Sequence, residues 1–214
     1  MLNLCIPTLN SFDTLETAIA AAMSGTLIPD RIIIVDNSNG LCPIKGNTKI
    51  HIHVPQFNLG VAGSWNWFMN NYSEDMNIII NDDIIVHKDT IKNFVDGVGT
   101  QMLRSDTKGG IYFAAEGANA FSFFYLNNEI YQEVGEFDET FYPAYFEDND
   151  YHMRLKQKGY TLQSIAHVAC DHVGSSTLKH YTEQQMEQHH RNFRRNQEYY
   201  ITKWGGLPGQ ETRS

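Results

Sequence analysis

The chain has 214 residues, about the length of one domain, with 42% hydrophobic and 12% aromatic residues, an ordinary globular composition. Its 25 Asp and Glu against 16 Lys and Arg give a formal net charge of -9, which excludes a domain-wide basic footprint for nucleic acid while leaving a local basic face open. No apolar run reaches the ~18–20 residues of a membrane span. The N-terminus lacks the basic region and long apolar stretch of a signal peptide. Three cysteines without a CxxC pair (Cys5, Cys42, Cys170) fit reduced thiols in a cytoplasmic protein better than a disulfide framework or a zinc ribbon.

In chain order, Leu2 to Ile6 is a short apolar strand stopped by Pro7. Asp13-Thr14-Leu15-Glu16 reads as an N-cap with a Glu three residues on, opening a helix with Leu15, Ile19, Ala22 and Met23 on one face. Arg31 to Val35 is a β-branched run, the pattern of a strand buried on both faces. His51 and His53 alternate with Ile50, Ile52 and Val54, predicting a strand with one less buried face. Val61 to Asn71 is predicted helical and Asn77 to Ile80 a second buried strand. This alternation is that of an α/β fold with a parallel sheet. Further on, 111–115 and 120–126 are strand-like, separated by Gly117-Ala118-Asn119. Asn149 to Lys158 is predicted helical, Tyr160 to Val168 another strand, and Thr182 to Lys203 a long polar helix stopped by Gly205-Gly206. No linker divides the chain, so one domain over 1–214 is expected.

Ligands of open parallel sheets bind beyond the carboxyl ends of the strands. Polar residues stand at each such end: Thr8 and Asn10, Asp36 and Asn37, Asn58 and Gly60, then Asn81, Asp82 and Asp83. Such residues often mark only a chain reaching water, but four successive ends supplying Asp and Asn exceed that explanation. No GxGxxG loop is present, which argues against a dinucleotide-binding oxidoreductase. The adjacent carboxylates Asp82 and Asp83, between two apolar strands, suit a hard divalent cation that bridges to phosphates. A solvated turn is the competing reading. Glu147-Asp148-Asn149-Asp150 opens a helix, where acids also offset the helix dipole. The aromatic lead-in from Phe141 to Phe146 adds a means of raising a carboxylate's pKa and of stacking on a sugar-like ligand, as general-base work requires. His172, after the last strand, carries little weight alone.

Taken together, Ile6-Pro7-Thr8-Leu9-Asn10, Val35-Asp36-Asn37-Ser38, Asn58-Leu59-Gly60 with Asn66, Asn81-Asp82-Asp83, Gly135 to Glu139, Phe146-Glu147-Asp148, Arg154, Gly159 and His172 resemble a GT-A glycosyltransferase. The likeness is to family 2, in its rhamnosyltransferase-like branch. It implies a mostly parallel central sheet flanked by helices, with a nucleotide-binding half at 1–87, an acceptor half at 88–178 and a C-terminal helix and tail at 179–214. It also implies that Pro7, Thr8 and Asn10 line the nucleotide site, that Asp36 accepts a hydrogen bond from the base, and that Asn58 and Gly60 shape the wall near sugar and phosphates. Asp83 stands at the last acid of the family's DXD motif as a metal ligand. Asn81 replaces that motif's first acid, with Asp82 a second candidate. His172 matches a metal-ligand His, Asp148 the catalytic base, and Glu147 a positioning acid. The implied activity is metal-dependent, inverting transfer from a UDP- or dTDP-linked sugar to a hydroxyl acceptor, with Mn²⁺ (or Mg²⁺) as cofactor; an imidazole among the ligands favours Mn²⁺ over Ca²⁺.

Two other classes stand beside this one. A sugar-nucleotide pyrophosphorylase would want a Gly-rich, Arg-containing loop after the first strand, which Pro7 to Ser11 does not offer. A non-catalytic nucleotide-sugar module has no evident use for Asp148. The acceptor is open among glycan, lipid-linked sugar, protein and, in a phage-type enzyme, a hydroxylated DNA base. Lys179, Arg191, Arg194, Arg195 and Lys203, with His180, His189 and His190, make the C-terminal segment the one mildly basic stretch. It is either a helix guiding an anionic acceptor or a solvated strap with pairs such as Glu187–Arg191 and Arg194–Glu198.

Overall fold

The structure, a computed structural model, describes residues 1–104, 108–117, 119–174 and 181–213. The elements run β1 (Leu2–Thr8), α1 (Phe12–Met23), β2 (Arg31–Asp36), β3 (Ile50–His53), α2 (Gly60–Asn71), β4 (Met76–Ile80), β5 (Ile84–Val86) and α3 (Thr90–Met102). Then come β6 (Gly109–Glu116), β7 (Phe123–Leu126), α4 (Asn128–Val134), a 3-10 turn (Glu139–Phe141), α5 (Glu147–Gln157), β8 (Thr161–His172) and α6 (Glu183–Trp204). The strands join in the order β3-β2-β1-β4-β7-β6-β8-β5. The first four are parallel, β7 runs antiparallel to both β4 and β6, and β8 returns parallel to β6.

Alternation along the strands sorts the core into two layers. Leu4, Ile6, Ile32, Ile34, Ile78 and Ile80 face α1 and α3, packing with Leu15, Ile19, Ile91 and Phe94. The intervening Cys5, Ile33, Val35 and Ile79 face the other way, onto Trp65 and Phe68 of α2 and Tyr151 and Leu155 of α5. α3 lies close on β8 because its residue 97 is glycine; a Cβ there would sit 2.2 Å from Ile165. Among the described residues no helix is long and apolar enough to cross a membrane.

Most predicted elements stand within a residue or two of their expected places. α1 differs: it opens after Ser11, not at an Asp13 cap, and Ser11 makes no side-chain capping bond. Its first turn is tied instead by Thr14 Oγ1 donating to the Ser11 carbonyl (2.9 Å). α3 and α4 had no counterpart in the sequence reading. The expected Gly117-Ala118-Asn119 turn includes Ala118, which lies outside the described residues.

β8 is twelve residues long because a bulge lets it serve two partners. Ala114 and Glu116 of β6 face Ile165 and Ala169 of β8, and His167 sits between them at φ 61°. Beyond the bulge the strand pairs antiparallel with β5, setting Ile84 opposite His172.

A third apolar cluster, Phe141, Phe146, Met153, Tyr200 and Trp204, fastens α6 over the segment before α5. α6 starts on a capping box between Thr182 and Gln185 and stops at Gly205 in the left-handed conformation. Buried Asn196 donates through Nδ2 to the carbonyls of Phe141 and Ala144, both at 2.8 Å. Asn196→Ala leaves those carbonyls short of a donor, so unfolding free energy is expected to fall by about 1–3 kcal/mol. A urea titration would read this as a lower midpoint at unchanged slope; an unmoved midpoint would show that the contact contributes nothing net.

Candidate active site

A cleft of about 470 Å³ opens at the carboxyl ends of the parallel strands. It collects Pro7, Thr8, Asn58, Gly60, Asn81, Asp82, Asp83, Glu147, Asp148 and His172, drawn from both halves of the chain. Asn10 and Asp36 are not among the described lining residues. Asn10 is exposed at φ 59°. Asp36 is buried with both carboxylate oxygens engaged: one accepts from the Ser38 amide (2.8 Å) and hydroxyl, the other from the Cys42 amide (3.2 Å). Its neighbour Asn37 reaches the cleft instead, accepting from Leu59 N (2.8 Å) and donating to Ser64 Oγ (2.9 Å).

The wall at α2 depends on a glycine. Gly60 adopts φ 68°, and a Cβ on it would come within 2.6 Å of the Pro143 carbonyl. That same carbonyl accepts from Val61 N at 2.8 Å, so the start of α2 and the segment before α5 meet backbone to backbone. Asn58 completes the turn, its side chain accepting from Gly60 N at 2.7 Å.

At the end of β4 the two carboxylates part. Asp82 accepts from Thr8 Oγ1 at 2.7 Å across the sheet. Burial, only partly offset by that hydrogen bond and aided by the charge of Asp83, raises its pKa to about 7. Asp83 turns towards β8, and its Oδ1 lies 3.2 Å from His172 Nε2. Two donors bound to one ion at ~2.1 Å and at right angles stand ~3 Å apart, so this pair fits neighbouring positions around a single divalent cation. Among the described residues no group of three or more His, Cys, Asp and Glu forms a full protein cage. The remaining positions suit ligand oxygens and water.

Across the cleft, Tyr145 and Phe146 precede α5 at φ 80° and 74°, a conformation costly for aromatic residues. Glu147 follows, buried, with Oε2 lacking any partner. Burial, reinforced by the Asp148 charge, pushes its pKa well above the usual carboxylate range. Asp148 is raised as well, again by burial, though its Oδ1 accepts from the Asn149 amide and side chain, both at 2.7 Å. Asp150 points away from the cleft and is wholly engaged by Arg154, Lys203 and Trp204. Asn66 binds Phe137 N and O and Glu139, anchoring α2 to the segment before α5.

Residues 4–102 match the model of the family described as Glycosyl transferase family 2. No curated protein matches the chain. Among solved structures, the mannosyltransferase PcManGT from Pyrobaculum calidifontis, in complex with GDP-Man and Mn²⁺, aligns with TM-score 0.58 at 14% identity over 81% of this chain and 57% of its own. S. aureus TarS 1–349 in complex with UDP gives 0.56 at 10% identity, over 79% of this chain and 59% of its own. A mutant of Drosophila beta-1,4-galactosyltransferase 7, in complex with manganese, UDP-Gal and xylobiose, gives 0.53 at 11%, over 86% and 77%. The chain has the GT-A fold. It spans little more than half the length of the mannosyltransferase, at 57%.

Some lining residues of this GT-A cleft escaped the sequence reading. Trp65, on α2, presents a buried Nε1 without a partner. Tyr181, just before α6, and His189 and Asn192, in its first half, come from a stretch where the sequence showed only a mildly basic helix. That basicity is largely consumed elsewhere. Arg195 donates to the Tyr142 carbonyl, Lys203 bridges Asp138 (2.7 Å) and Asp150 (2.6 Å), and Arg191 pairs with Glu187 at 2.9 Å as expected. The expected Arg194–Glu198 pair is not formed among the described residues. Lys179 and His180 lie outside them.

Asp82 generates a pH test. Its folded pKa, about 7, stands above the ordinary 3.8, so the folded state holds the proton more tightly than the unfolded chain. The stabilising contribution of the protonated acid is complete below ~4 and is lost as pH rises through 7. In chelator-treated buffer, wild-type stability is expected to decline by about 1–4 kcal/mol between pH 4 and 8 relative to Asp82→Asn. Parallel pH profiles for the two proteins would refute it.

Proposed function

We propose that the chain is a metal-dependent, inverting glycosyltransferase that moves a sugar from a nucleoside diphosphate, UDP or dTDP, to a hydroxyl acceptor, with Asp148 as general base. The observation that carries this reading is the composition of one cleft. The Asp83–His172 pair and the β1 and β4 strand ends stand on one side, and the desolvated acids of α5 on the other. The GT-A fold and the nucleotide complexes of the similar mannosyltransferase, TarS and galactosyltransferase support it further.

In this reading the nucleotide lies over Pro7 and Thr8 and against Asn37, with its diphosphate running towards Asp83 and His172. Among the described lining residues there is no Lys or Arg to meet that diphosphate. The cation held by Asp83 and His172 would therefore neutralise the charge that grows as the sugar–phosphate bond breaks. Asp148 takes the proton from the acceptor hydroxyl as its oxygen attacks the anomeric carbon from the face opposite the leaving diphosphate. One displacement inverts that centre. Burial raises the basicity of Asp148 towards the working pH, which suits it to the task. Glu147, held protonated by burial, has a free Oε2 able to donate to a hydroxyl of either substrate.

Two measurements test this. Asp83→Ala and His172→Ala should each weaken Mn²⁺-dependent UDP binding by calorimetry, by roughly 10–100-fold. Unchanged metal dependence in both variants removes the assignment. Asp148→Asn keeps the shape without the basicity and should lower transfer by roughly 10²–10⁴-fold while UDP binding persists. Near-normal turnover would move the base elsewhere.

A further inference from the structure

The acceptor side of the cleft carries its own chemical signature. Tyr145, Tyr181 and His189 form an aromatic corner there, with Tyr145 and His189 centroids 5.3 Å apart at 76° and Tyr181 and His189 6.2 Å apart at 77°. Faces at right angles offer apolar surface in two directions with polar tips between. Asn196 braces the Tyr145 segment from α6, and Tyr145 is 38% exposed at its strained backbone position. Packing on Phe193 at 5.2 Å fixes the Tyr145 ring, and the surface it leaves uncovered lines the cleft.

Charge narrows the ligand class. Asp82, Asp83, Glu147 and Asp148 all line the cleft, and no Lys or Arg does so among the described residues. The α6 cations Arg195 and Lys203 are spent on the protein itself. His189 is no substitute: burial and neighbouring His190 lower its pKa, leaving a neutral ring with one donor and one acceptor. Deeper in, the unpartnered Trp65 Nε1 and Glu147 Oε2 require hydroxyls or water.

Resting on the glycosyltransferase reading above, we propose that the acceptor is a neutral saccharide. One ring packs on the Tyr145–His189 corner, and its reactive hydroxyl faces Asp148. An anionic acceptor, whether nucleic acid or a phospholipid-linked sugar, would find no Lys or Arg among the described lining residues to meet its charge.

Binding can be read without turnover, by saturation-transfer NMR and calorimetry on the whole chain with UDP and Mn²⁺ present. The neutral probes are cellobiose, maltose, lactose and chitobiose. The anionic probes are glucose 6-phosphate and a 5-hydroxymethylcytosine oligonucleotide. At least one neutral disaccharide should bind with an affinity unchanged between about 50 and 500 mM salt. His189→Ala and Tyr145→Ala should each weaken it about 5–10-fold. Tyr145→Phe should keep most of the affinity, and Arg194→Gln, on the exposed face of α6, should not alter it. Should Tyr145→Ala fail to fold, His189→Ala on the helix surface gives the same reading. The proposal is overturned if no disaccharide binds, if the aromatic variants bind like wild type, or if an anionic probe binds better and is released by salt. UDP release from UDP-glucose without acceptor, followed separately, reports on the transferase reading alone.

Discussion

The cleft depends on one buried carboxylate that takes no part in lining it. Asp150 is fully buried, accepting from Arg154 Nε (2.9 Å) through one oxygen and from Lys203 Nζ (2.6 Å) and Trp204 Nε1 (2.9 Å) through the other. A charge so placed is tolerated only when its partners are complete; removing one typically costs about 3–5 kcal/mol. The bond joins α5 to the last turn of α6, two residues beyond Asp148. Lys203 and Tyr199 extend the junction to Asp138 at 2.7 and 2.9 Å, and these partners draw its pKa down to about 2 against the opposing effect of burial. The first turn of α5, and with it the direction of Glu147 and Asp148, is set by this network.

Around that anchor the protein maintains several arrangements that oppose stability. Glu147 is buried beside Asp148 without a partner for Oε2, Asp82 is buried beside Asp83, and two successive aromatic residues hold positive φ. Each costs free energy, and Asp82, Tyr145 and Glu147 line the same cleft. Asp36 and Asp150, which are not among the described lining residues, show the opposite pattern, with both oxygens engaged. Where polar atoms are left unsatisfied inside a well-packed fold, a ligand is the natural missing partner.

Legibility followed the range of the determining interaction. Strands such as Arg31–Asp36 and Met76–Ile80 could be read because burial on both faces demands continuous apolar runs. Thr8, Asn58, Asp82 and Asp83 line one cleft because the topology of a parallel sheet brings such strand ends together. α4 was missed because its seven residues carry too little periodicity to register. At Asp36 the local pattern does not discriminate: an Asp at a strand end reads alike whether its oxygens turn to a ligand or back onto the next residues, and here they accept from Ser38 and Cys42. For α6 the sequence leaves two readings open, a guide for an anionic acceptor or a solvated strap, because the partners that claim Arg195 and Lys203 lie more than fifty residues away.

The two sides of the cleft differ in origin as well as chemistry. The stretch matching the family model, residues 4–102, supplies the strand ends, the Asp82–Asp83 turn and the glycine wall. Everything opposite them, from Tyr145 to Asp148 and from Tyr181 to Asn192, lies outside it. The first group is set by strand order and turn geometry, which short motifs encode. The second is set by how α6 crosses the α5 entry, through Asn196 on two carbonyls and rings such as Tyr145 against Phe193 at 5.2 Å. Such a crossing tolerates many side-chain solutions, so it leaves little trace in a motif while setting which side chains line that wall. The lining on that side is a property of helix packing: His189 joins the cleft because α6 is held down by Asn196 seven residues later, by the apolar cluster around Tyr200 and Trp204, and by the Asp150 junction.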